Sequence, residues 1–320
     1  MSGGVSLAVW MGGVAREMNL LQEASNLRQS GSVQMPGATD WDGQCRHLYL
    51  ALLKLLNVTV TMDVLSGTSA GGINAALLGL SSAAGVDLGG LRDLWLTAGS
   101  LDTLLRDPQE KAPPSLMQGD KVLFSKLDSG IRDIYDRTPK YRCPAADSGT
   151  GAPSTSVFIT TTMMSGETSR FTDDFGTLVP DVDHHGLFTF DGQALGAGDG
   201  APKLTELALA ARSSASFPGA FEPSFVPINS RIEAAPPVPG RPNMADFANM
   251  TRSHWVADGG LLANRPLTPL LAKVFSQPAT GQVRRVLAFV VPDGGGTTRT
   301  TSQEVTGDDW EHPPSMVGAL

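Results

Sequence analysis

The 320-residue sequence predicts a layered α/β fold, and three observations carry that expectation. Residues 60–80 read as a strand, a tight Gly-Thr-Ser-Ala-Gly turn and an apolar helix. Apolar residues recur at helical spacing in 46–56, 88–105, 121–135 and 204–214, and fall in short extended runs at 156–164, 254–258 and 285–291. Ser165-Gly166 separates two strand-like runs and reads as a hairpin, so part of the sheet is expected to be antiparallel.

From the N-terminus, the first helix with a clear apolar face is 46–56, which aligns Leu48, Leu52, Leu55 and Leu56. Val58, Val60, Met62 and Val64 then alternate with Thr59, Thr61 and Asp63, the period of a strand. Gly67-Thr68-Ser69-Ala70-Gly71 turns the chain into an uncharged helix at 73–80. Residues 88–105 continue as helix broken near Gly99, Pro113-Pro114 mark a loop, and 121–135 form an amphipathic segment. After a Pro-bounded loop at 144–153, the arms 156–164 and 167–172 flank Ser165-Gly166. Residues 204–214 are helical, 234–243 form a proline-rich surface loop (a plain insertion or a lid), and 254–258 and 285–291 are short strands.

A composition of 41% hydrophobic and 18% charged residues suits one large α/β core or two small ones. The net charge of −8 argues against nucleic acid or an anionic membrane as a standing partner. Cys45 and Cys143 form no motif, which points to a reduced, cytoplasmic chain while leaving a single disulfide open. No metal and no cofactor are expected. No basic residue precedes Arg16, a poor match to a signal peptide, and no apolar run reaches a membrane span. No Lys follows Gly71-Gly72, which excludes a P-loop.

Ser69 sits where a strand-to-helix elbow pushes its hydroxyl out of the turn and aims helix N-terminal N–H groups at whatever the serine attacks. Gly67 and Gly71 supply the small flanks that so tight a turn needs. The same residues also suit a Gly-rich turn carrying a surface serine. A nucleophilic serine needs a base and oxyanion donors. None of the five histidines stands out as that base. His184 and His185 share an Asp-rich turn, and His47 lies on the 46–56 helix. His312 lies in a polar tail, and His254 opens a strand as a supporting group or a plain strand end. A carboxylate does stand out: His-Trp-Val-Ala-Asp at 254–258 ends in Asp258, followed by Gly259-Gly260. Such an acid can reach a neighbouring elbow, or can form an ordinary Asp-Gly turn.

Together these pieces resemble the patatin-like family of lipid acyl hydrolases, which use a Ser-Asp dyad. The elbow at 67–71, the Asp258-Gly259-Gly260 run, the small-residue segment 211–223 and Asn264-Arg265-Pro266 are similar to family motifs in the same order. The resemblance spans almost the whole chain. It implies a three-layer α/β/α fold with a mostly parallel central sheet, Ser69 as nucleophile and Asp258 as base. Setting Gly13-Val14-Ala15 on the family's Gly-Val-Leu places Gly3-Gly4-Val5-Ser6-Leu7-Ala8 on its glycine loop. The N–H groups of Gly3, Gly4, Val5 and Ala70 are then the oxyanion donors, and a helix over about 7–24 carries Val14, Met18 and Leu21 toward the core. A rival alignment uses Gly12-Gly13 as the loop, after a strand at 6–11. Leu7 stands where the family has a basic residue, and Arg16 lies too far along to replace it. The family's first strand would precede Gly3, where only Met1 and Ser2 stand. The resemblance therefore implies a fragment or a misassigned start. Residues 1–295 would be the acyl hydrolase domain and the Gly- and Thr-rich 296–320 the start of a truncated C-terminal region, as in large bacterial patatin-related proteins.

The implied activity is hydrolysis of phospholipids, lysophospholipids or acylglycerols through an acyl-enzyme, with transient contact at a membrane surface. Burial of Asp258 beside Trp255 or Leu261 would raise its pKa and strengthen it as a base. Met11, Met163 and Met164 either line an acyl channel or pack the core. An acyltransferase and a catalytically silent lipid-binding module on the same fold are the alternatives.

Overall fold

The computed structural model describes residues 1–3, 8–31, 40–137, 155–172, 174–197, 201–229, 240–277 and 283–291. The expected loop at 144–153, most of that at 234–243, the 296–320 tail, Gly4, Val5, Leu7, Cys143 and His312 lie outside them.

Helix α1 (Ala8–Ser30) runs straight through Gly12-Gly13, which removes the reading that made 6–11 a strand and those glycines a loop. It packs on α2 (Trp41–Leu56), whose first turn is capped by Asp40 accepting the Gly43 N–H at 2.7 Å. Helix α2 buries Leu50 and Leu53, while the face carrying Leu48, Leu52, Leu55 and Leu56 is exposed. At the α1–α2 seam Leu50 and Leu53 pack with Ala24, and ion pairs reinforce them. Arg46 meets Glu23 at 2.7 Å, and Arg16 meets Asp42 and Asp87, each at 2.6 Å.

Strand β1 is Val64–Thr68, shorter than the alternation at 58–64 suggests. The N–H groups of Val60 and Met62 are taken by Ser25 Oγ at 2.8 Å and Gln22 Oε1 at 3.0 Å on α1, so this stretch lies against a helix, outside any ladder. β1 pairs in parallel with β2 (Ser156–Thr172). β2 pairs antiparallel with β3 (Leu178–Phe190) and with β5 (His254–Asp258), and β5 pairs antiparallel with β4 (Ser224–Val226). The antiparallel hairpin is present, but Ser165-Gly166 is not its turn. Gly166 lacks the positive φ a tight Ser-Gly hairpin requires, and β2 runs on through it with a register slip between Thr162 and Glu167. The reversal falls at 174–177, with Gly176 at φ 81°. Residues 283–291, expected to hold a strand, join no ladder; the Ser2 N–H donates to Val290 O at 3.1 Å.

Helix α3 (Ala70–Ala84) carries no charge and is buried nearly all round, as a helix apolar on every face must be. α4 (Leu91–Ala98) and α5 (Leu101–Leu104) follow, broken at Gly99. A π-helical turn (Gly119–Phe124) leads into α6 (Ser125–Arg137), and α7 spans Leu204–Ser214. After β5 come α8 (Gly260–Ala263) and α9 (Leu267–Ser276).

Alternation along β2 sets the layers. Ile159 points to α3, where it lies against Gly72, and α7 covers the same sheet. Thr160 points the other way and reaches the Ala263 carbonyl of α8 at 3.4 Å. The result is helix, sheet, helix, with Leu77, Leu80, Val157, Phe188, Phe190 and Leu209 in the core. Met11 and Met163 are buried with them or beside them, whereas Met164 is exposed.

Candidate active site

β1 and β5 lie end to end along one edge of β2. β1 runs parallel to it and finishes with Thr68 opposite Thr160; β5 runs antiparallel and finishes with Asp258 opposite Thr161. The C-terminal ends of the two strands therefore point at each other across consecutive residues of β2. Ser69, one residue past β1, meets Asp258 there. The Ser69 hydroxyl lies close enough to the Asp258 carboxyl group to pull its pKa down, while Asp258 Oδ2 has no hydrogen-bond partner among the described residues.

The elbow holds Ser69 at φ 55°, ψ −129°, a region that side-chain-bearing residues rarely occupy. Its N–H donates to Ser214 Oγ at 2.8 Å, and its carbonyl accepts the Gly72 N–H at 2.8 Å. A Cβ on Gly67 would stand 2.2 Å from the Gly71 oxygen, and one on Gly71 would stand 2.5 Å from the Met1 oxygen, so neither position admits a side chain. Ala70 opens α3, whose first-turn N–H groups face the elbow.

Asp258 is 2% exposed. Burial pushes its pKa up, while the Ser69 hydroxyl and the Gly260 N–H, 2.7 Å from Oδ1, pull the other way; the net direction is upward. Trp255 and Leu261, expected to supply that burial, are themselves 52% and 51% exposed. Backbone encloses the acid instead. The Asp258 N–H donates to Ser216 O at 2.9 Å, the Gly259 N–H to Ser214 O at 3.2 Å, and a Cβ on Gly259 would sit 2.4 Å from Thr160 O.

Gly3 abuts the serine: a Cβ there would stand 2.8 Å from Ser69 Cβ. Its N–H, expected to face an oxyanion, donates to Asn264 Oδ1 at 2.7 Å. Gly4 and Val5 lie outside the described residues. Beyond them, the Ala8 carbonyl accepts from Asn74 Nδ2 at 3.3 Å, which also reaches the Ala70 carbonyl at 3.1 Å. Asn74 Oδ1 accepts the Trp95 indole N–H at 3.0 Å. Two asparagines thus hold the chain on either side of the glycine run. Asn264 and Ser214 stood in the motif segments without an assigned role, and Asn74 was not anticipated at all; an amide within an apolar helix was the available signal. Arg16 is occupied by Asp42 and Asp87, away from the elbow.

Among the described residues no histidine is bonded to Ser69 or Asp258, and no group of His, Cys, Asp and Glu could hold a metal ion. Arg212, fully buried at the end of α7, reaches Asp120 at 3.3 Å and the Glu222 carbonyl at 2.9 Å, fixing the segment that follows Ser214. Burial would raise the pKa of Glu222, but the N–H groups of Asp120 and Gly119 and the Ser115 hydroxyl hold it down at about 2. A surface pocket of about 650 Å³ is lined by Pro114, Asp120, Met164, Ser165, Glu222, Pro223 and Trp255; neither Ser69 nor Asp258 lines it.

The sequence model of a family described as Patatin-like phospholipase matches residues 48–271, taking in the elbow and Asp258 but beginning after the glycine run. A protein of Mycobacterium tuberculosis named as an uncharacterized membrane protein is 52% identical over 322 residues, covering 100% of this chain and 29% of its own length. The chain thus spans less than a third of that relative. No solved structure matches. Among the described residues no helix is long and apolar enough to cross a membrane.

Proposed function

The chain belongs to the patatin-like phospholipase family, whose general activity is lipid acyl hydrolysis, and from that premise we propose that Ser69 and Asp258 form its catalytic dyad. The observation carrying this reading is the convergence of the ends of β1 and β5 at Thr160 and Thr161, which brings an elbow serine to a buried carboxylate. Asp258 takes the Ser69 proton as Oγ attacks the ester carbonyl carbon. The oxyanion is held by the N–H of Ala70 with those of Gly4 and Val5, and Gly3, tied to Asn264, anchors that loop. The alcohol leaves, water attacks the acyl-enzyme, and Asp258 again takes the proton. A carboxylate is a weak base for an alcohol, and the upward shift of the Asp258 pKa narrows that gap. The substrates are esters of phospholipids, lysophospholipids or acylglycerols, met through transient membrane contact. Residues 1–295 act as the acyl hydrolase domain.

A fluorophosphonate probe, mapped by peptide mass, tests the assignment. Labelling at Ser69 in the full chain is expected, with none in Ser69→Ala and a fall of about 10²-fold or more in Asp258→Asn. Equal labelling of Ser69 in Asp258→Asn refutes the dyad. Fatty acid release from phosphatidylcholine vesicles, with and without an added alcohol acceptor, separates hydrolysis from acyl transfer. One observation favours a catalytically silent lipid-binding module: the Gly3 N–H is already taken by Asn264. Absence of Ser69 labelling in the folded chain selects that reading.

A further inference from the structure

The bulge in β2 does more than bend the strand. Between Thr162 and Glu167 the register slips, and Ser165 turns toward β5, where its Oγ lies 3.3 Å from His254 Nδ1. The other ring nitrogen, Nε2, lies 2.9 Å from Glu167 Oε1. The His254 side chain is completely buried, and Glu167 Oε1 also accepts the Thr251 N–H at 2.7 Å. Burial would raise the pKa of Glu167, but its bonds to His254 and Thr251 hold it below the usual range, so it is an ionised acceptor. A neutral His254 ring bonded to that acceptor carries its proton on Nε2. That leaves the Nδ1 lone pair facing the Ser165 hydroxyl, which donates to it. A serine, a histidine whose tautomer is fixed, and the carboxylate that fixes it are the parts of a charge-assisted nucleophile, recognised by geometry and role rather than by order in the chain. Bulges recur where a strand must re-aim such a side chain.

Ser165 is exposed and stands in the wall of the 650 Å³ pocket, a volume within the range of small-molecule sites. We infer that Ser165, His254 and Glu167 form a second nucleophilic centre, separate from Ser69 and Asp258, that reacts with neutral esters bearing an apolar acyl group. The pocket sets that class. Pro114, Met164, Pro223 and Trp255 give it apolar walls, and among the described residues no lysine or arginine lines it to hold an anionic head. Its two carboxylates, Asp120 and Glu222, are turned to Arg106, Arg212 and Arg241, which leaves neither available to fix a cation. In the reaction, Ser165 Oγ bonds to the carbonyl carbon and the bond to the leaving alkoxide breaks. The serine proton passes through His254 Nδ1 to that alkoxide, releasing the alcohol, while Glu167 stabilises the transient imidazolium. Water repeats the sequence on the Ser165 ester, returning the carboxylic acid and the free serine.

The test uses the full chain carrying Ser69→Ala and an uncharged long-alkyl fluorophosphonate, with labelled peptides mapped by mass. Phosphonylation at Ser165 is expected, abolished by adding Ser165→Ala. Adding Glu167→Gln, whose Oε1 can still accept from Thr251 and His254 but carries no charge to stabilise the imidazolium, should slow it by about tenfold or more. His254→Gln gives a second disruption should the Glu167 variant not fold, and circular dichroism identifies the folded variants. An unlabelled Ser165 in the folded Ser69→Ala chain overturns the inference. So does labelling that neither folded variant slows. Ser69 labelling in the unmodified chain is read from the same map, so failure here is distinct from failure of the dyad.

Discussion

The backbone of Ser69 gives a stability test that does not depend on knowing the substrate. At φ 55°, ψ −129° a residue bearing a Cβ is strained by about 1–3 kcal/mol, and glycine is not. Ser69→Ala and Ser69→Gly both remove the hydroxyl, so the comparison between them isolates the Cβ and the backbone. Alanine keeps the strain. Glycine releases it but loses about 0.5–1 kcal/mol to the greater freedom of the unfolded chain. The glycine variant should therefore be the more stable of the two, by about 1 kcal/mol at mid-range and up to about 2.5 kcal/mol. Urea denaturation followed by tryptophan fluorescence reads this as a higher midpoint at unchanged slope. Neither variant should be labelled at residue 69. A glycine variant no more stable than the alanine variant would refute the claim that the elbow stores strain in order to present the hydroxyl.

Asp258→Asn should lose Ser69 labelling and gain stability at neutral pH. Its raised pKa means that the stabilising contribution of the protonated acid is full below the unfolded value of 3.8 and lost as pH rises through the folded one. Calorimetric scans from pH 4 to 8 should therefore show the wild type falling relative to the variant. Asn264→Leu removes the acceptor of the Gly3 N–H and should slow Ser69 labelling about tenfold while costing less than about 1 kcal/mol, because that bond is exposed to water; Asn264→Asp should restore much of the rate. Glu23, 2% exposed, has its pKa raised to about 7, first by burial and then by Asp87, against the pull of Arg46 and Arg16. Its contribution is complete below pH 4.5 and lost through pH 7, a span of about 3 kcal/mol, so Glu23→Gln should flatten that part of the stability–pH curve in denaturant titrations.

The α/β class and the residues of the elbow were legible in the sequence because both are local. A strand, five small residues and an uncharged helix carry their own signal, and Asp258 was marked by the two glycines behind it. What failed to show was everything decided by a partner far along the chain. The alternation at 58–64 looks like strand, but Ser25 and Gln22 on α1 take its N–H groups. Ser165-Gly166 looks like a turn, but pairing resumes beyond it with 178–183, so the strand continues and the irregularity becomes a bulge. The face of Leu48, Leu52, Leu55 and Leu56 looks like a core face, yet Leu50 and Leu53, with the ion pairs of Arg46, Glu23 and Asp87, meet the rest of the fold and leave that face outside. His254 reads equally as a supporting group or a plain strand end because neither Ser165 nor Glu167 is near it in sequence.

Register, more than loop geometry, positions the candidate dyad. A slip of one residue between β5 and β2 would turn Asp258 to the opposite face of the sheet and separate it from the elbow. Main-chain pairing over Thr161, Thr162 and Met163 is short for so consequential a constraint. Side chains reinforce it. The Thr161 hydroxyl donates to Ala257 O at 2.8 Å, and that of Thr162 to Asp258 O at 2.9 Å, so each carbonyl at the end of β5 is bound diagonally, by the threonine opposite the adjacent residue. On the elbow side, Thr160 and Thr68 share a hydrogen bond of 2.6 Å, and Thr68 reaches Ala263 O at 2.8 Å. The run Thr160-Thr161-Thr162 reads in the sequence as ordinary β propensity. In the fold it locks two strand ends in register at one point, where, among the described residues, no histidine stands bonded to Ser69 or Asp258.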